Sequence, residues 1–499
     1  MSGLLALETR VAVALLLPFA GVLLIAALHR RPNVRETATL AIAALLALDV
    51  WSILPAVMAG ARPEAMLVSV APGLDLALKV EPLGMLFALV AATLWIVNSI
   101  YSIGYMRAHN EPRQTTFYVC FAIAIGATMG LAFAKNLFTL FVFYELLTIS
   151  TYPLVTHKAD DDALRGGRTY ILMLIGTSMV LLLPAIILTG IFAGSLDFKP
   201  GGMLPAELGA GVMAGLLALY MFGIGKAGLM PVHFWLPAAM VAPTPVSALL
   251  HAVAVVKAGV FAVLKVVVYV FGIERLASTG ASDWLTVVAS ISLLMASAVA
   301  MTKDNLKARL AYSTVSQLAY CVLGASLAVS SGIIGGALQI AMHAVGKITL
   351  FFCAGAIYVA THKTEISELD GLGRKMPFTF AAFLIGALSV IGLPPLGGSW
   401  SKWWLMLGGL DAGKFAVVVV LLVSSLLNVL YLLPIFLRGC FLPARTLASV
   451  GAAGHEPEDG LERRHWLVVL PPCITAFLCF VVFFYADRIV ALVAPIVTP

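Results

Sequence analysis

The chain is 499 residues long, 61% hydrophobic and only 11% charged, with a mean hydropathy of +1.02. This composition excludes an ordinary soluble globular protein and leaves room for roughly twenty apolar segments of membrane-crossing length. The formal net charge of +6 comes from basic residues scattered singly or in pairs between apolar runs, with no basic patch of the kind that binds nucleic acid.

From the N-terminus, an apolar run over 11–28 follows Glu8 and Arg10 and stops at His29-Arg30-Arg31. It is long for a signal-peptide core and its flank is basic, so it predicts a first transmembrane helix. Further apolar runs cover 37–59, 82–103, 114–134, 136–156, 168–193, 210–239, 244–272, 283–301, 307–329, 332–360, 377–408, 414–440 and 466–494. The expected fold is an all-α polytopic membrane protein of about fourteen transmembrane helices. Residues 60–81 read as a short polar excursion, and 441–465 as a loop with the acidic run His455-Glu456-Pro457-Glu458-Asp459. The six cysteines lie in or beside apolar runs without a CxxC pair, so packing is their expected role and no metal or cofactor is expected.

Loops after odd-numbered helices hold 18 of the 31 Lys and Arg residues, and the opposite side holds 8. That bias predicts a multi-pass protein of the inner (cytoplasmic) membrane with both termini on the non-cytoplasmic side. Two runs are interrupted. The seventh breaks at Gly228-Leu229-Met230-Pro231 and the twelfth at Gly392-Leu393-Pro394-Pro395-Leu396-Gly397-Gly398. Proline removes a backbone donor, and the freed carbonyls need protein or water partners in lipid, so broken helices line cavities. Lys226 precedes one break and Lys402 follows the other. Five runs separate the breaks, which predicts two inverted five-helix repeats, helices 4–8 (114–272) and 9–13 (283–440). They are flanked by helices 1–3 (1–113) and by a loop and final helix (441–499).

An ionised group near a bilayer centre costs roughly 2.5–3.5 kcal/mol even on the lenient insertion scale. This chain places Glu145, Lys226, Lys257, Lys265, Lys347 and Lys402 within its apolar runs, with Asp49 as the other acid well inside one. Lys226 is the natural partner of Glu145; the alternative is a static ion pair that fixes helix packing. Lys257, desolvated, becomes able to exchange a proton. Lys347 and His343 are four apart and share a helix face, and His251 lies six residues before Lys257; either histidine can relay a proton or serve as a hydrogen-bonded packing residue. Lys265 lies nearer a helix end and is expected to snorkel to the interface. Lys402 stands among Trp400, Trp403 and Trp404, so an interfacial aromatic belt competes with a functional role. Asp49 has no evident partner.

These residues and their flanks resemble the antiporter-like subunits shared by Mrp-type multisubunit cation/proton antiporters, respiratory complex I and membrane-bound hydrogenases. The similar stretches are FYELLTISTYPLV around Glu145, GKAGLMPVHFWLPAAMVAPTPVSALLHA at 225–252, KDNLKARLAYSTVSQLAY at 303–320, HAVGKITLFFCAG at 343–355 and IGLPPLGGSWSK at 391–402. The likeness runs from about residue 80 to 408. It implies that Glu145 pairs with Lys226 and that Lys257 and Lys402 continue a mid-membrane proton path. YSIGYMR and TYPLVTHK look most like the D subunit of Mrp antiporters, and no long lateral helix is expected after the last run. One departure is Gln339, where many relatives carry histidine; glutamine cannot take up a proton, so a relay there is expected to be shortened or to need water.

The resemblance implies a proton-translocating subunit of a multisubunit membrane complex, most simply a Na+/H+ antiporter, working with other membrane subunits and not an enzyme by itself. A proton-pumping subunit of a complex I-like or hydrogenase complex and a stand-alone transporter of a small solute are the alternatives. A haem carrier is disfavoured, because the in-run histidines are only His233, His251 and His343, without repeated spacing.

Overall fold

The structure is a computed structural model describing residues 2–443 and 461–497, so the acidic run at 455–459 lies outside the described residues. The helices follow the apolar runs: α1 (Ser2–Ala27), α2 (Pro32–Met58), α3 (Pro82–Ala108), α4 (Gln114–Ala132), α5 (Leu137–Val155) and α6 (Asp161–Ala193). Then come α7 (Ala210–Gly223), α8 (Thr244–Phe271), α9 (Asp283–Thr302), α10 (Leu306–Ser326) and α11 (Ser330–Thr361). The last are α12 in two halves (Pro377–Ile391 and Gly398–Asp411), α13 (Phe415–Phe441) and α14 (Trp466–Phe484). Proline opens α2 and α3, where its missing N–H would have no helical partner. The side chains of Asn136, Asp160 and Asn305 cap α5, α6 and α10 by accepting from backbone N–H groups three residues on.

Among the described residues, eleven of these helices are long and apolar enough to cross a membrane. The protein is thus a multi-pass membrane protein. Outside the eleven are the two interrupted helices, α7 and α12, and α10, which carries Lys307, Arg309, Ser313 and Gln317 among its apolar residues.

The all-α expectation needs one correction. The segment read as a polar excursion holds an antiparallel hairpin, β1 (Glu64–Ala71) and β2 (Leu74–Lys79), paired from Glu64–Lys79 to Ala71–Leu74. The cause is local. Met66, Val68 and Val70 stand exposed on β1, whose pairing shifts register between Met66 and Val68 and between Ser69 and Ala71, and Pro72-Gly73 turns the chain, with Gly73 at φ +78°. The hairpin is tied to the α4–α5 connection by Lys79 N–H to Phe133 O (2.6 Å) and Lys135 N–H to Ala77 O (3.0 Å). Glu64 pairs with both Lys79 (3.1 Å) and Lys135 (2.6 Å).

The helices sort by burial into an interior and a shell. The apolar stretches of α8 and α11 are buried throughout, whereas in α1, α2, α6, α13 and α14 less than half of the stretch is fully buried, as in lipid-facing helices. α7 stops at Gly223 and gives way to a single 3₁₀ turn, Gly225–Ala227, and irregular backbone before the short helix Trp235–Ala238. Gly228 (φ +64°) and Gly392 (φ +92°) lie in the two breaks, which also contain the cis bonds Met230–Pro231 and Pro394–Pro395. α8 is loosened by two π turns, Leu249–Val253 and Val267–Phe271.

Candidate functional site

The α7 break presents Lys226 to α5. The 3₁₀ turn that carries it is held by Trp235 Nε1, which donates to the Gly225 carbonyl at 2.9 Å beside the turn's own bond from Gly228 N–H (3.0 Å). Lys226 is fully buried. Its Nζ donates to Tyr144 O (2.9 Å) and Thr148 Oγ1 (2.5 Å) and lies 3.2 Å from the centroid of the Tyr144 ring. Its backbone N–H donates to the Tyr144 hydroxyl at 3.1 Å. Glu145 is also buried, but among the described residues neither carboxylate oxygen has a hydrogen-bond partner. The direct Glu145–Lys226 contact expected from the sequence is therefore not made. Tyr144 and Thr148, four apart, share the face toward the break, while Glu145 is rotated from Tyr144 by about 100°.

The turn is wedged against α8 at Gly259. A Cβ there would stand 2.3 Å from both the carbonyl carbon of Lys226 and the amide nitrogen of Ala227. Gly259→Ala is therefore expected to displace Lys226, costing about 1–3 kcal/mol of stability and most of the transport assigned below. Heating the detergent-purified protein and assaying vesicles reads both, and a variant matching the native protein in both would show that the turn yields freely.

The next groups lie between the two interior helices. Lys257 Nζ on α8 stands 2.5 Å from His343 Nδ1 on α11, both side chains being buried. The outer ring nitrogen of His343, Nε2, has no partner among the described residues. Gln339, His343 and Lys347 follow at four-residue spacing on one face of α11. Lys347 Nζ donates to Ser313 Oγ on α10 (2.7 Å), which hydrogen-bonds the Tyr431 hydroxyl on α13 (2.9 Å). Tyr431 in turn donates to Asn428 Oδ1 (2.5 Å).

Lys402 occupies the α12 break. Its Nζ donates to Ile391 O (2.7 Å), a carbonyl freed where the first half of α12 ends, and to Ser425 Oγ (3.0 Å). Gly392 is needed beside it, since a Cβ at that residue would be 2.7 Å from Lys402 Cδ. Lys402 is 6% exposed while Trp400 and Trp403 are 38% and 53% exposed. The tryptophans face outward and the lysine inward, which separates the aromatic belt from the charge. Pro231, Pro394 and Pro395 lie within the two breaks.

Other predicted residues stand apart. His251, in the first π turn of α8, is fully buried with both ring nitrogens unpartnered among the described residues, its ring 5.1 Å from that of Phe351. No hydrogen bond joins it to Lys257. Lys265 does not snorkel. It is 1% exposed, 3.1 Å from Glu81 Oε2, donates to Ala134 O (2.7 Å) and lies 4.5 Å from the Phe198 ring centroid. The start of α3 and the α4–α5 connection close over what looked like an open helix end. Asp49 is half-buried on α2, one carboxylate oxygen without a hydrogen-bond partner, and Arg10 of α1 donates to the nearby Ser52 hydroxyl.

The hydroxyl partners of the lysines, Thr148, Ser313 and Ser425, and Tyr431 behind Ser313, carry no signature that sequence reading singles out. The available signal was polar spacing in apolar helices: Ser313 and Gln317 four apart on α10, and Ser424, Asn428 and Tyr431 at four and three on α13. Together these groups can hold cations in the membrane interior and, at the amine, imidazole and hydroxyl positions, receive and release protons.

A family profile described as NADH:quinone oxidoreductase/Mrp antiporter, TM, matches residues 134–428. Hydrogenase-4 component B of Escherichia coli is 31% identical over 402 residues, covering 75% of this chain, and the chain spans only 59% of that relative's length. NADH-quinone oxidoreductase subunit N of Desulforudis audaxviator is 31% identical over 409 residues, covering 79% of this chain and 78% of the relative. In fold, a chain from the structure of the Mrp complex from Dietzia sp. superposes with a TM-score of 0.81 at 21% identity, covering 100% of this chain and 97% of that one. On the matched residues 134–428, which contain every buried lysine described above, the chain belongs to the NADH:quinone oxidoreductase/Mrp antiporter family of antiporter-like membrane subunits.

Proposed function

We propose that the chain is a proton-translocating subunit of a multisubunit membrane complex, most simply a Na+/H+ antiporter. The observation that carries this reading is the 2.5 Å contact of Lys257 with His343, in a protein that also buries Lys226, Lys347 and Lys402. An ammonium can give its proton to Nδ1, and the imidazole can release one from Nε2, so the ring passes a proton across its width. Glu145 supplies a negative charge that favours a proton on Lys226, and a proton arriving at Lys257 would disfavour it. His251 and Lys347 are reserves for that exchange.

In this reading the chain crosses the inner membrane fourteen times with both termini on the non-cytoplasmic side. Helices 4–8 (114–272) and 9–13 (283–440) form inverted repeats, each with one broken helix and its lysine. Helices 1–3 (1–113) and the final loop and helix (441–499) flank them. Protons and Na+ would move only with partner subunits present.

Glu145→Ala and Lys226→Ala are each expected to abolish Na+-dependent proton transport in vesicles that hold the assembled complex. Transport at the native rate in either variant would overturn the proposal. The similarity to hydrogenase and NADH-quinone oxidoreductase subunits supports a second reading, a redox-driven proton pump. Proteins that co-purify in mild detergent separate the two: redox subunits favour the pump, small membrane subunits alone the antiporter.

A further inference from the structure

The polar chain on the α10–α13 side does not run unbroken from Lys347 to Lys402. One route passes from Lys347 through the hydroxyls of Ser313 and Tyr431 to the Asn428 carboxamide. One helical turn before Asn428 on α13, Ser424 Oγ accepts from the Tyr320 hydroxyl (2.8 Å), and the centroid of the Tyr320 ring lies 5.0 Å from Nζ of Lys402, which donates to Ser425. The other route follows one face of α11 from His343 to Gln339, four residues away. Gln339 Nε2 donates to Gln317 Oε1 (2.8 Å), and Gln339 Oε1 accepts from Ser401 Oγ (2.5 Å), beside Lys402. Tyr320, Tyr431, Ser401, Gln317, Gln339 and Asn428 are all at most 2% exposed.

Each route contains a carboxamide. A hydroxyl, an amine or an imidazole can take a proton on one side and give one up on the other. A carboxamide oxygen only accepts and its nitrogen only donates, so it fixes neighbours in place and ends a proton wire. At Gln339 both ends are committed: the nitrogen to Gln317, the oxygen to the Ser401 hydroxyl. At Asn428 the oxygen holds the Tyr431 proton and Nδ2 has no partner among the described residues.

We propose that Gln339 and Asn428 insulate the Lys257–His343–Lys347 group from Lys402. They hold the two groups in register through hydrogen bonds and bar a proton from running between them until those contacts open. They are positioning residues that keep transport coupled by stopping a leak. The proposal rests on the proton-translocating reading above.

The test uses the complex purified with its partner subunits and reconstituted in liposomes. Proton flux down an imposed pH gradient is measured without the counter-cation, and cation-driven antiport is measured separately. Gln339→Glu and Asn428→Asp put a group that takes and releases protons at each break. Each is expected to raise the cation-independent flux about tenfold, the change that 1.36 kcal/mol of barrier makes. Gln339→Leu and Asn428→Leu remove the same hydrogen bonds without adding a titrating group and are expected to leak no more than the native complex. Should a buried carboxylate block assembly, Gln339→His, neutral in its resting form, is expected to give the same rise.

Native-level flux in the assembled Glu, Asp or His variants overturns the insulation. Equal leak in the Leu variants overturns it too, by assigning the effect to packing. The broader reading fails separately, if Lys226→Ala keeps its antiport.

Discussion

Lys257→Ala should reduce proton transport by the assembled complex by about 10²-fold or more, the scale on which a positioned acid–base group acts. Lys257 makes the direct contact between the two interior helices at the level of the buried charges, and alanine leaves His343 Nδ1 facing a void. Lys257→Arg is the informative companion. Arginine keeps the positive charge but does not deprotonate in proteins, so it should be as inactive as alanine if the lysine exchanges protons. An active arginine variant would instead make Lys257 a static charge. Both variants need to be assayed in complexes shown by gel filtration to be fully assembled.

The second large effect is on stability. Glu81→Ala should destabilise the protein by about 3–5 kcal/mol, because it strands the Lys265 ammonium in a site that is 1% exposed. Removing both charges is different: Glu81→Leu with Lys265→Met should sit within about 1.5 kcal/mol of the native protein, since similar-volume apolar replacement of a buried pair is often neutral or better. Thermal unfolding in detergent of Glu81→Leu, Lys265→Met and the double variant completes the cycle. Additive losses would mean that the 3.1 Å pair contributes no coupling.

Glu81 and Lys265 also mark where sequence reading ran out. Lys265 was judged by its distance from a helix end, a measure that holds only if the end meets lipid or water. Here Ala134 O and Glu81 come from segments well over a hundred residues earlier in the chain. The α7 and α12 breaks were legible because Gly and Pro act on the backbone they sit in. The inward direction of Lys226 and Lys402 followed from the cost of the alternative. What one residue of helical rotation does was not legible. Glu145 was assigned the contact that Tyr144 and Thr148 make, and only the facing geometry of α5 and the α7 turn decides between them. The hairpin was hidden for another reason: two register shifts break the alternation of β1, and proline and glycine nearby mimic a loop.

α11 has a property that follows from its place, not its residues. At 32 residues it is roughly 48 Å long against about 30 Å of hydrocarbon. A helix touching lipid would have to tilt, bend or distort the bilayer to absorb that excess. α11 is buried along its apolar stretch, so protein neighbours set its match. Bilayer thickness then presses on α1, α2, α13 and α14, while the segment carrying Gln339, His343 and Lys347 is shielded from it. A change of lipid chain length should accordingly alter how the shell seats against its surroundings before it alters the distances between the buried groups.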